Sequence, residues 1–322
     1  MQPLVSVIIV NWNGKKWLQK CLDSLLSQTY QNLEIIIVDN ASTDKSVDYI
    51  QENYPQVRLI VSEKNGWFAY GNNLWIKDAK GELILLLNND TWLDNDLIEK
   101  LYHSYIATNA DAIAPQEAKY DTTLMDPVLW IIDPFWHGVK IPYSAQKSPF
   151  YLQWLCLLFS KKLYIETGWL DENFFMYFEE TDWFWRLNLY GKKIIQSPDL
   201  YIYHAWAAST EWGGIKYNNF LWRNQNTLQM LLKNYAWYTL LWTLPIYLLQ
   251  NLGEMLAFTI IGKPKIAYSY IEWWMYNIKN LRRMWEQSTI IQQKRKINDT
   301  MILSRMYHGF WKVKHLLQFI TK

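Results

Sequence analysis

Cysteine is nearly missing from this chain: Cys21 and Cys156 are the two thiols in 322 residues. They stand alone, with no spacing that would bind a metal, and point to a reducing compartment. Internal repeats and low-complexity linkers are also missing, which excludes a solenoid and a string of tethered modules. No N-terminal signal peptide is expected, because a strand pattern starts almost at once, at Val5. Glycine is scarce where a triphosphate-binding loop would need it. The stretch from Val10 to Lys16 offers one, Gly14.

What is present is a series of short apolar runs that end in Asn or Asp. The run Ile35-Ile36-Ile37-Val38 is too short for a typical helix and reads as a parallel strand buried on both faces. It runs into Asp39-Asn40-Ala41-Ser42-Thr43-Asp44, where Ser42, Thr43 or Asp44 is available to cap a following helix. Ligands of open α/β sheets bind at the carboxyl ends of the strands, so Asp39 is placed to meet one; the plainer account is that it closes the turn. Val5 to Val10 is a second such strand, ending in Asn11-Trp12-Asn13-Gly14 and followed by a helix with apolar Trp17, Leu18, Leu22, Leu25 and Leu26. Val57 to Val61 gives a third strand and Leu83 to Leu87 a fourth, which ends in Asn88-Asn89-Asp90. Strand and helix alternating at this spacing predict an α/β fold with a mostly parallel sheet and crossover helices on both faces. Three strands then deliver Asn11 and Asn13, Asp39, and Asn88 to Asp90 to one edge.

These segments resemble the nucleotide-binding half of family 2 glycosyltransferases, which have the GT-A fold, and most of all the rhamnosyltransferase-like subgroup. The resemblance rests on Asn11-Trp12-Asn13, on Val38 to Asp44, on Asn65-Gly66-Trp67-Phe68-Ala69-Tyr70-Gly71-Asn72-Asn73 and on Asn88-Asn89-Asp90, in that order, and runs from Val5 to about Asn226. It implies a GT-A domain over 1–226, with a nucleotide-binding half (1–115) and an acceptor or catalytic half (116–226). A helical, hydrophobic and basic region (227–322) follows. Asn11, Asn13, Asp39, Asn88 and Asn89 are then donor-site residues, with Asp39 accepting the imide N–H of uracil or thymine. Asn65, Gly71 and Asn73 would lie beside the donor sugar, although Asn65-Gly66 is also a common turn pair. Asp90 would hold Mg²⁺ or Mn²⁺ against the diphosphate. Two positions depart from the family pattern: Asn88 replaces the first acid of Asp-x-Asp, and Trp75 stands where many relatives have glycine.

In the second half, Glu179-Glu180-Thr181-Asp182 precedes a helix carrying Trp185, Arg186 and Leu189. Acidic residues suit a helix N-terminus, and Asp182 with Arg186 reads as a surface i,i+4 ion pair. The segment also resembles the family's Glu-Asp-x-Asp, which makes Glu180 the general base, with Glu179 and Asp182 as its competitors. His204, after Tyr201-Ile202-Tyr203, matches a histidine that completes the metal shell in many GT-A enzymes. Arg223-Asn224 resembles a family element near acceptor or diphosphate, while an Arg on a helix surface is the plainer account. No Gln-x-x-Arg-Trp element of processive synthases occurs, which favours transfer of one sugar at a time.

The implied activity is an inverting, metal-dependent transfer from a UDP- or dTDP-linked sugar, rhamnose by subgroup, to a hydroxyl of a glycan or lipid-linked acceptor in cell-surface polysaccharide biosynthesis. The rivals are a sugar nucleotidyltransferase and a scaffold that binds nucleotide sugars without turnover. Trp130 to Tyr151, with Pro134, Pro142 and Pro149, reads as a long loop suited to acceptor recognition.

The net charge of +2 hides a division: Lys279 to Lys322 holds 10 Lys/Arg against 2 Asp/Glu, and the rest of the chain is acidic. An uncharged stretch, Tyr235 to Gly253, stands before it and includes Trp237, Leu241 and Leu249. Pro245, Gln250 and Asn251 argue against a membrane span. A segment lying in the interface over residues 235–283 is expected, with membrane headgroups rather than nucleic acid as the anionic partner. The expected location is the cytoplasmic face of the cell membrane.

Overall fold

A computed structural model describes residues 2–63, 65, 67–135, 137–174, 176–205 and 217–309. Gly66, within the Asn65 to Asn73 motif, lies outside the described residues, as does the end of the basic tail, 310–322. The elements run β1 (Val5–Asn11), α1 (Lys15–Leu26), β2 (Leu33–Asp39), α2 (Ser46–Asn53), β3 (Arg58–Val61), α3 (Trp67–Asp78), β4 (Leu83–Asn88) and β5 (Thr91–Trp92). Next come α4 (Leu97–Thr108), β6 (Ala112–Lys119), β7 (Val128–Ile132), β8 (Gly138–Pro142), β9 (Cys156–Ser160), α5 (Lys161–Thr167), α6 (Glu179–Leu189) and β10 (Ile194–His204). Five helices close the described chain: α7 (Tyr217–Asn234), α8 (Trp237–Ile260), α9 (Pro264–Lys279), α10 (Leu281–Lys294) and α11 (Asp299–Ser304).

The chain forms two compact units, and they interleave along the sequence. The first comprises 1–129, 142–172 and 192–211; the second comprises 130–141, 173–191 and 212–322. This differs from the linear division expected at residues 115 and 226. The reason lies in α6: Asp182 bonds to Lys233 and Asn234 of α7, and Asn226 of α7 donates to the carbonyls of Met176 and Tyr177. Those contacts bind 173–191 to the C-terminal helices.

The first unit holds an eight-stranded sheet in the order β3-β2-β1-β4-β9-β6-β10-β5. β3, β2, β1 and β4 are mutually parallel, as are β6 and β10, while β9 and β5 pair antiparallel with their neighbours. The apolar runs of β1, β2 and β4 fill the core together with Leu18, Cys21, Leu22 and Leu25 of α1, whereas Leu26 is exposed. Register fixes the polar edge, since Asn11 pairs with Asp39 and Val10 with Asn88.

Two expectations are corrected. Helix α2 starts at Ser46 with Lys45, in the left-handed conformation, at the cap position; Ser42, Thr43 and Asp44 all precede it. Asp44 contributes differently, accepting from the Ser46 N–H and hydroxyl. Residues 130–151 are not one long loop, because β7 and β8 pair as a hairpin. Its prolines sit where strands tolerate them, Pro134 in the turn and Pro142 at a strand end.

Candidate active site

At the polar edge of the first unit, Asn11 is the hub. Its amide donates to Asp39 Oδ2 at 2.7 Å and to Ser42 Oγ at 3.2 Å, and its Oδ1 accepts from Asn89 Nδ2 at 2.7 Å. Asp39 Oδ1 accepts from the Ser42 N–H at 2.8 Å, so the carboxylate closes the turn after β2, and it has no exposed surface. Asn13 is exposed, with positive φ, and its Oδ1 accepts from the Thr43 N–H. The turns after β1, β2 and β4 are thus laced by side chains that the sequence placed at one edge. Gly14 was missed as a requirement of this lacing: a methyl there would overlap Asn89 Nδ2 and Asn11 Oδ1.

Asn73 has a different role from the one the resemblance implies. Its Oδ1 accepts from Tyr164 Oη at 2.7 Å and the Leu170 N–H at 3.0 Å, while its Nδ2 donates to the Leu170 carbonyl and to Glu172 Oε1. Those four bonds use the whole capacity of an amide side chain, so Asn73 clips the 170–172 segment to α3 and has no group left for a sugar. Gly71 and Asn65 stand differently. Asn65 is half-buried in the segment before α3, and Gly71 lies within α3.

Asp90 and His204 meet. Strand β5 pairs with β10 so that Thr91 faces His204, which brings His204 Nε2 to 3.1 Å from Asp90 Oδ2. On the other ring nitrogen, Nδ1 lies 2.6 Å from Glu117 Oε1. Glu117 pairs with Ile202 across β6 and β10, so it sits diagonal to His204 on the same face. Burial alone would lower the imidazole's pKa; the bonds to the two carboxylates outweigh it and raise it to about 9. Without an ion the two carboxylates favour the charged ring; an ion at Nε2 would displace the proton there, while the Nδ1–H stays on Glu117.

A hard carboxylate oxygen from the β4–β5 turn and an imidazole nitrogen from the end of β10 fit a divalent ion, Mn²⁺ better than Mg²⁺. Asp90 and His204 would be its protein ligands; among the described residues no cluster of three or more such groups occurs. Glu117 would hold the His204 Nδ1–H and so orient Nε2. We expect Glu117→Gln to lower Mn²⁺ affinity by about 10–100-fold in calorimetric titration, with the fold intact.

In the second unit, Glu179, Glu180 and Asp182 open α6. The two residues before them, Tyr177 and Phe178, both have positive φ (73° and 72°), a conformation that disfavours non-glycine residues by about 1–2 kcal/mol each. Asn226, wholly buried, fixes this strained pair from α7 through the Met176 and Tyr177 carbonyls, and the Arg223 guanidinium lies 5.8 Å from each of the two rings. Arg223 therefore braces the turn in front of the acidic residues. Asp182 is not a surface partner of Arg186 as its spacing suggested. It is buried, 3.3 Å from Arg186 Nε and 3.2 Å from Lys233 Nζ, and accepts from Asn234 Nδ2 at 2.9 Å. Glu180 is half-buried, and burial raises its carboxyl above the ordinary range. Glu179 is more enclosed: burial, then the Glu180 charge, raises it well above that range, and its Oε2 has no hydrogen-bond partner among the described residues.

Glu179 therefore makes stability depend on pH. The folded chain keeps this proton to a higher pH than the unfolded chain does, so its contribution is full below the ordinary glutamate value, about 4.3, and is lost as pH rises through the folded value. Glu179→Gln should raise stability at pH 7.5, on the order of 1–3 kcal/mol, and leave it unchanged near pH 4. Thermal melts at the two pH values check this.

Residues 6–155 match Glycosyl transferase family 2. Glycosyltransferase GlyG of Streptococcus pneumoniae is 36% identical to this chain over 126 residues, 38% of this chain and 41% of GlyG. A chondroitin synthase of Pasteurella multocida is 39% identical over 100 residues, 30% of this chain and 10% of the synthase. The match thus spans under half the length of these relatives. Among solved structures, GalNAc-T7 with UDP, GalNAc and Mn²⁺ superposes with a TM-score of 0.61 at 15% identity, covering 73% of this chain and 49% of that one. The mannosyltransferase PcManGT of Pyrobaculum calidifontis, with GDP-Man and Mn²⁺, gives 0.54 at 16% identity, covering 91% and 86%. These likenesses show a GT-A-like α/β fold. The rhamnosyltransferase-like subgroup stays a resemblance of motifs.

Proposed function

We propose that the protein is an inverting, metal-dependent glycosyltransferase. It would move one sugar from a UDP- or dTDP-linked donor, rhamnose by resemblance, to a hydroxyl of a glycan or lipid-linked acceptor in cell-surface polysaccharide biosynthesis. The family 2 domain and the named relatives support the enzyme class. The observation that carries the reading is the meeting of Asp90 with His204 beside the laced strand ends. When bound there, a divalent ion would neutralise charge on the diphosphate as it leaves. Solved structures of similar fold contain Mn²⁺ with UDP or GDP-Man, which accords with this use. The two buried, unpaired thiols accord with a reducing compartment and with work at the cytoplasmic face of the membrane.

The chain's own residues then divide the work. Glu180 accepts the proton of the acceptor hydroxyl while that oxygen bonds to the anomeric carbon from the face opposite the diphosphate. The carbon–oxygen bond to the diphosphate breaks in the same step, which inverts the centre and needs no covalent intermediate. The raised carboxyl of Glu180 makes it a stronger base than an ordinary glutamate. Asn226 and Arg223 would keep that carboxylate in position by holding the strained turn before it.

Gly71 bears on the donor sugar. A methyl group there would meet Asn40 Oδ1 at 3.9 Å and Val38 Cγ1 at 4.0 Å, ordinary contacts, so among the described residues packing does not demand glycine. Gly71→Ala should therefore raise stability by up to about 1 kcal/mol, as in other helix interiors, yet weaken donor binding. A melt paired with a nucleotide-sugar titration reads both.

The function is tested by following nucleoside diphosphate release from UDP- and dTDP-sugars, with Mn²⁺ and a bacterial lipid-linked glycan extract as acceptor. Release coupled to labelled sugar in the extract supports the proposal. Donor binding without release would indicate a scaffold, and pyrophosphate formed from a nucleoside triphosphate and a sugar phosphate would indicate a nucleotidyltransferase.

A further inference from the structure

Helix α8 is built inside out. Its buried stripe is largely polar and includes Thr239, Thr243, Asn251 and Glu254, while its exposed stripe is apolar. Trp237 is 71% exposed, Leu241 69%, Leu249 70% and Ile260 83%. Several of the buried polar groups are bonded within the second unit. Thr243 Oγ1 and Asn251 Nδ2 donate to carbonyls one turn back, and Tyr270 Oη of α9 donates to Glu254 Oε2 at 2.6 Å. The bond from Tyr270, together with that from Tyr247 Oη of α8 to the Asn224 carbonyl of α7 at 3.2 Å, holds this face against α7 and α9, so turning the apolar side inward would break both and bury Glu254's site without its partner. Helix α9 continues the pattern, with Ile271, Met275 and Ile278 exposed on one stripe.

We propose that the outer face of α8 and α9 docks on a lipid bilayer bearing anionic headgroups. Water-facing helices of a soluble protein present polar residues outward, and apolar patches of this extent mark an interaction surface. The charge pattern selects the occupant. Lys263, Lys265 and Lys279 are exposed at the ends of the α9 stripe, while the carboxylates of residues 235–285, all described, are the buried Glu254 and the half-buried Glu272. A second copy of the same face would bring the exposed lysines together with no fully exposed acid to meet them. Anionic headgroups supply the missing sign, and Trp237 suits the depth where headgroups meet acyl chains. Among the described residues no helix is long and apolar enough to cross a membrane. With Pro245 within α8, the segment would lie on the surface. The face would bind lipid whether or not the first unit binds a nucleotide sugar.

The full chain is mixed with sucrose-loaded vesicles of phosphatidylcholine alone or with phosphatidylglycerol and sedimented, and its oligomeric state is measured alongside. Wild type should pellet with the mixed vesicles and less with phosphatidylcholine. The combined variant Leu241→Ser/Leu249→Ser/Ile260→Ser should bind at least about tenfold more weakly, with its melt and nucleotide-sugar binding retained. Lys263→Gln/Lys265→Gln/Lys279→Gln should lose the preference for phosphatidylglycerol. Wild type left in the supernatant with both vesicle types would overturn the proposal. So would a dimer that the serine variant disperses while wild type binds no vesicle, since the face would then meet another copy.

Discussion

Glu180→Gln should lower sugar transfer by about 10²–10⁴-fold, the range for loss of a general base, with nucleotide-sugar affinity unchanged. The amide keeps the size of the side chain and removes its basicity. Position and chemistry separate the three acids that open α6. Glu179 is almost fully enclosed and its carboxyl is raised furthest, which suits a neutral group. Asp182 is bound to Arg186, Lys233 and Asn234. Glu180 alone of the three keeps partial exposure. The raised carboxyl also fixes the acid limb of the rate profile. Activity should fall on acidification at a pH above the ordinary glutamate value, and Glu180→Gln should remove that limb along with the rate. A profile of kcat against pH for wild type and variant checks both.

Asp182→Ala should destabilise the protein by about 3–5 kcal/mol, the cost of breaking a buried ion pair from one side. Arg186 and Lys233 are themselves buried and would lose their carboxylate, and Asn234 would lose an acceptor. The same carboxylate joins α6 to α7, so the loss should loosen the strained turn at Tyr177-Phe178 as well. Chemical denaturation measures the change directly. If Asp182 were instead the base, Asp182→Asn would leave stability nearly intact and abolish transfer. The account predicts that Asp182→Asn costs stability first, and that residual activity per folded molecule survives.

The strand ends were legible because each apolar run stops at Asn or Asp, and parallel pairing then has to bring those stops to one edge. Asn11, Asp39 and Asn89 are joined there as the alternation implied. Glu117 was not legible. It reaches His204 through the pairing of β6 with β10, across 87 residues of sequence, and nothing local marks it. The spacing of Asp182 and Arg186 announced a pair but not its burial, which depends on Lys233 arriving from α7. Asn73 shows the limit of a motif: its place in the pattern suggested a sugar ligand, while Tyr164 and the 170–172 segment take all its bonds. The uncharged stretch of α8 was legible as unusual. Which side would face the protein depended on Glu254 finding Tyr270.

The central claim is a metal-assisted nucleotide-sugar site at the edge where Asp90 meets His204. Its most direct test is calorimetric titration of the purified protein with UDP- and dTDP-sugars, with and without Mn²⁺, in wild type and Asp90→Ala. The account predicts Mn²⁺-dependent binding of one of these donors to wild type, and the loss of that Mn²⁺ dependence in the variant. Binding that ignores both Mn²⁺ and Asp90, or no binding of any nucleotide sugar at millimolar concentration, would contradict it.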